Sequence, residues 1–73
     1  MRLFNKGYKV VLKSPYSSHA EKLSLSLALF GAKVKMVKNH PYDHRIKCWF
    51  KDYSEFKHWL AEIVKTNLEF GII

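Results

Sequence analysis

Seventy-three residues carry a net charge of +7, with 48% hydrophobic and 15% aromatic residues. The hydrophobic share supplies a compact core and excludes a disordered chain, and the length fits one small domain, residues 1–73. No apolar run approaches membrane-spanning length, and a single cysteine, Cys48, excludes an internal disulfide and fits a reducing, cytoplasmic setting.

Charge is spread unevenly. Residues 1–51 hold eleven Lys and Arg against two acids, a local +9, whereas residues 52–73 hold two against four, a local −2. Asymmetry of this kind points to a nucleic acid, an anionic surface or an acidic protein as partner. The segment Met1-Arg2-Leu3-Phe4-Asn5-Lys6 lacks the hydrophobic stretch of a signal peptide.

The first strand is predicted over residues 8–13 and stops at Ser14-Pro15, because proline fixes its own φ and favours a turn. Ser18-His19-Ala20-Glu21 matches a capping box, and Gly31 supplies a left-handed C-terminal cap, so a helix is expected over residues 20–30. Its inner face carries Ala20, Leu23, Leu27 and Phe30. The alternation of Leu23, Leu25, Leu27 and Leu29 with Ser24, Ser26 and Ala28 is also a strand pattern, but good helix formers between two caps favour the helix. That choice turns Leu25 and Leu29 outwards, where they are surface residues or a contact for a partner, including a second copy of the chain.

A second strand follows over residues 32–38, a turn over 39–43 and a third strand over 44–51, forming a hairpin. Asp52 or Ser54 caps a second helix. Its residues Phe56, Trp59, Leu60, Ile63 and Val64 recur at i, i+3, i+4, i+7 and i+8, an amphipathic stripe. Asn67 is the expected C-terminal cap and residues 68–73 a short last strand. The order β-α-β-β-α-β, with alternating strands and two amphipathic helices, predicts an α+β, ferredoxin-like fold. Both helices cover one face of a four-stranded antiparallel sheet whose first and third strands are central.

Strand parity then divides the side chains. Val10, Leu12, Val34, Met36, Ile46, Cys48 and Phe50 share the covered face. Lys9, Lys13, Lys33, Lys35, Arg45, Lys47 and Lys51 share the open one, with Trp49 among them. Cations neutralise phosphates and an indole offers a base a stacking surface, so these eight residues are the candidate site for RNA or single-stranded DNA.

In topology this open four-stranded sheet resembles RNA-recognition-motif domains. Residues 45–51 lack the glycine and the aromatic set of that family's third strand, and Phe50 faces the core. Binding is therefore expected to be dominated by the nucleic-acid backbone rather than by base identity. The competing reading is a solvated face whose lysines guard against edge pairing.

Other chemistry is poorly seated. His19, His40, His44 and His58 read as surface histidines rather than metal ligands, because the only cysteine falls on the apolar face. Glycines 7, 31 and 71 are too far apart for a phosphate loop, and no nucleophile–base pair has a third member to orient it. The chain is expected to be a non-enzyme without cofactor. The alternative function is a small inhibitor or adaptor, of the kind phages encode, that docks on an acidic or nucleic-acid-binding protein, as a monomer or a homodimer.

Overall fold

In the computed structural model, which describes residues 7–37 and 43–73, the elements run β1 (Tyr8–Ser14), α1 (Ser17–Phe30), β2 (Lys33–Val37), β3 (His44–Phe50), α2 (Tyr53–Ile63) and β4 (Gly71–Ile72). The structure is α+β, with a four-stranded antiparallel sheet and two helices. Strand order is β2-β3-β1-β4, so β1 and β3 are central. The expected turn, apart from Asp43, and the end of the second strand at Lys38 lie outside the described residues.

Period-2 burial explains why these strands stay in register. Val10 and Leu12 of β1 and Ile46, Cys48 and Phe50 of β3 are buried, while the intervening residues are exposed or half-buried. A slip by one residue would turn the whole apolar set to water. Both helices cover this even-numbered face: Ala20, Leu23 and Leu27 of α1 and Phe56, Trp59 and Ile63 of α2 join the strand residues in one core. Aromatic rings knit it together, Phe50 lying 5.4 Å from Phe56 and 5.8 Å from Trp59, centroid to centroid. A full burial of this type stabilises by about 1.5–3 kcal/mol per large apolar side chain.

The segment rich in leucine is a helix, and its C-terminus follows the glycine signal. Gly31 adopts φ 106°, and its N–H and that of Ala32 reach back to the carbonyl of Leu27. This is the geometry in which a left-handed residue satisfies the last helical carbonyls. Its start departs from expectation. α1 begins at Ser17, Tyr16 takes the cap position without a side-chain hydrogen bond, and Ser18 lies inside the first turn, so no capping box forms. The tether comes instead from Ser14, whose buried hydroxyl donates to the Glu69 carbonyl at 2.7 Å and accepts from the Tyr16 N–H at 3.4 Å. Nearby, the Glu69 N–H donates to Nδ1 of His19 at 2.9 Å, so the segment before β4 is held by two groups near the start of α1.

At α2 the Asp52 carboxylate accepts from the Glu55 N–H at 2.9 Å, which settles the choice between Asp52 and Ser54. The helix ends at Ile63, earlier than the Asn67 cap expected. Past Ile63 the backbone tightens to i→i−3 bonds, Lys65 N–H to the Glu62 carbonyl and Thr66 N–H to that of Ile63, and the Thr66 hydroxyl also donates to the Ile63 carbonyl at 2.6 Å. Val64, the C-cap, still donates its N–H to the Leu60 carbonyl but is exposed, although the expected stripe includes it. Trp59 Nε1 donates to Ser26 Oγ at 3.1 Å, giving the buried indole a polar partner on the neighbouring helix. A buried donor left unpaired would cost about 1–3 kcal/mol.

Further boundaries shift. β4 shrinks from the expected residues 68–73 to Gly71–Ile72, while Leu68 and Phe70 pack partly against the core. Met36, expected in the core, is exposed because β2 is an edge strand and the helices cover its inner side incompletely. β3 stops at Phe50, which leaves Lys51 in the bend before α2. Gly7 packs against this bend with φ 73°, and a Cβ there would lie 2.2 Å from the Phe50 carbonyl oxygen.

Candidate nucleic-acid interface

The face of the sheet away from the helices is ordered by cross-strand register into three rows. In the first, Lys33 and Lys9 are the Cα partners of Trp49 on its two sides. In the second, Lys35 and Val11 flank Lys47. In the third, Val37 and Lys13 flank Arg45, and Gly71 adjoins Lys13. Rows two residues apart are about 7 Å apart and neighbouring strands about 4.8 Å, so the grid measures about 14 Å by 10 Å.

Seven of the eight candidate residues from the sequence are thus brought together: Lys9, Lys13, Lys33, Lys35, Arg45, Lys47 and Trp49. Lys51 is exposed but off the strand. Val11 and Val37 are half-buried apolar members of this face that a search for charge passes over, although their odd numbering places them there.

The charges are arranged at a cost. Lys35 stands directly opposite Lys47, and Lys13 directly opposite Arg45. Like charges facing each other across a strand pair destabilise a sheet by roughly 0.2–1 kcal/mol. Only the second of these pairs is relieved: Arg45 Nε donates to Asp43 Oδ1 at 3.0 Å. No strand residue pointing to this face is acidic, and the described ion pairs leave Lys9, Lys33, Lys35 and Lys47 without a carboxylate partner.

Trp49 is half-buried, its neighbours on both sides being lysines. Lys9 Nζ sits over the ring, 5.9 Å from its centroid. An exposed cation–π contact of this kind is worth about 0.5–1 kcal/mol, less than the roughly 1–3 kcal/mol of a base stacked on an aromatic ring. The second tryptophan, Trp59, is 2% exposed and takes no part.

Elsewhere the chemistry is sparse. Cys48 is fully buried with Sγ 3.4 Å from the Val10 carbonyl, and burial pushes its thiol up to about 11, against activation as a nucleophile. Among the described residues no cluster of His, Cys, Asp and Glu could hold a metal ion. His40 lies outside them, and His19 has the structural role given above. An open depression of about 450 Å³ lies beside the end of β1, but Asp43 and Glu69 line it together with Lys13, so it offers no net positive pocket. Leu25 and Leu29 of α1 are 60% and 79% exposed, as the helical reading requires. Among the described residues no helix is long and apolar enough to cross a membrane. No protein-family model, curated protein or solved structure matches the chain.

Proposed function

We propose that this chain is a small, non-enzymatic, cytoplasmic nucleic-acid-binding protein that uses the open sheet face and is governed by phosphate contacts rather than base identity. The order with β1 and β3 central, and both helices on the opposite face, supports the ferredoxin-like reading of the fold on which that open face depends. One observation carries the function. Three of the face's cations, Lys13, Arg45 and Lys47, stand where their strand is paired on both sides, so they do nothing to guard an edge.

Edge protection needs charge on β2 and β4. It accounts for Lys33 and Lys35 on β2 and for Lys9 on the stretch of β1 that β4 does not reach, but not for Lys13, Arg45 or Lys47. Facing lysines such as Lys35 and Lys47 also work against folding, so their placement is better explained by an anion that fills the gap between them. Each phosphate neutralised releases condensed counterions, which is a gain in entropy that the empty face lacks.

The test is the salt dependence of binding to a generic single strand. Affinity is expected to fall steeply as salt rises, and the double substitution Lys35→Gln with Lys47→Gln is expected to reduce the log–log slope by about 1.4. A slope unaltered by that pair, measured by fluorescence anisotropy across a salt series, would remove the sheet face as the binding surface.

A further inference from the structure

The arrangement around Trp49 narrows the ligand further. We infer that this face takes single-stranded nucleic acid, with one base stacked on Trp49 and the phosphates on either side of it held by Lys9 and Lys33. The inference rests on the polyanion reading above and adds to it a ligand class and a register.

The indole sits in the middle of a row, with an ammonium donor from the adjacent strand on each side. A nucleotide within a strand has the same order: phosphate, nucleoside, phosphate. The strand direction of the ligand would therefore cross the protein strands, following the row Lys33–Trp49–Lys9. The next row, Lys35–Lys47–Val11, lies about 7 Å away and offers cations to a second stretch of backbone.

Duplex is the poorer fit. Its bases present edges in the grooves while their π faces are stacked on each other, so Trp49 would have nothing to stack on. Entry into a major groove also needs a protruding helix or ribbon, and on this face the described residues form only the sheet surface. Lys9 Nζ at 5.9 Å from the indole centroid shows that this ring face already accepts a positively charged group, in a weaker contact than stacking provides. An acidic protein surface would use the lysines without needing the ring.

The experiment follows indole emission of the whole chain, with buried Trp59 as constant background. It is titrated with an oligothymidylate of about ten nucleotides, with a duplex of the same length, and with inorganic polyphosphate of matching charge. The Trp49 variants, which lack the responding indole, are read by anisotropy of a labelled oligothymidylate and its displacement by the other ligands. The single strand is expected to quench the emission and to bind about tenfold or more tightly than either competitor. Trp49→Leu is expected to lose at least about fivefold towards the single strand and nothing towards polyphosphate. Trp49→Phe, which keeps a stacking ring, is expected to hold affinity within about threefold, and the preference of the unmodified chain for single strand over duplex and polyphosphate decides the matter should Trp49→Leu fail to fold by far-UV circular dichroism.

Equal binding of the three polyanions, or undiminished single-strand affinity in Trp49→Leu, overturns the stacking inference and leaves the charge reading standing. Absence of salt-sensitive binding to any of the three overturns both.

Discussion

The two tryptophans of this chain stand on opposite sides of one sheet, and their surroundings define its two faces. Trp59, reached from α2, lies among Phe50, Phe70 and the Ser26 hydroxyl, which accepts its N–H. Trp49, on a central strand, lies between Lys9 and Lys33 under an ammonium group. The covered face satisfies its polar groups and excludes water. On the open face, unneutralised charges stand opposite one another. Folding alone explains the first arrangement, whereas the second sets like charges face to face at a cost to folding.

The comparison can be broken most forcefully at the tryptophans themselves. Trp59→Ala should cost about 3–5 kcal/mol in urea denaturation, a large part of the stability of so small a domain. Trp49→Ala should cost no more than about 1 kcal/mol of stability. Similar losses for both would mean that the open face is not open.

Cys48 sharpens the covered side through pH. Its folded value near 11 stands above the usual 9.0 because burial disfavours the thiolate. The folded state therefore holds the proton more tightly, and this contribution to stability is complete below about pH 9 and disappears as pH rises through about 11. The stability difference between wild type and Cys48→Ala should shrink over that window, by on the order of 2 kcal/mol. A difference that stays constant from pH 8 to pH 11 in paired denaturation curves would contradict the burial of the thiol.

The smallest effect has the most informative sign. Lys35→Glu converts a repulsive cross-strand pair with Lys47 into an attractive one and should raise stability by about 0.2–1 kcal/mol while weakening polyanion binding. Loss of stability together with loss of binding would indicate a structural role for Lys35 instead.

Much of this was legible before any coordinates. Parity alone separated Trp49 and the lysines from Ile46, Cys48 and Phe50, because a residue's side of a strand depends only on counting. The α2 stripe was equally readable as far as Ile63. What escaped was settled by contacts distant in the chain. The Ser18 capping box is a sound local signal, yet Ser14 and Glu69, 55 residues apart, tie down that end of α1 and the helix begins at Ser17. Ser14 continues the inward series after Val10 and Leu12, so its burial was available from parity, but its partner was not. At the end of α2 the backbone changes to i→i−3 bonding and the Thr66 hydroxyl adds a bond to the Ile63 carbonyl, details that the hydrophobic period ignores. Opposition of Lys35 to Lys47 required the register, which the residues between β2 and β3 do not specify by composition.

Gly7 has a consequence for variation at its position. It is exposed to solvent, with a positive φ and the Phe50 carbonyl oxygen 2.2 Å from where a Cβ would stand. Solvent exposure ordinarily marks a position tolerant of change, and here it does not. In a saturation library selected for folding, position 7 should reject every other genetically encoded side chain as firmly as a core site does, because the obstacle is main chain that cannot swing aside. Surface accessibility would misjudge it entirely.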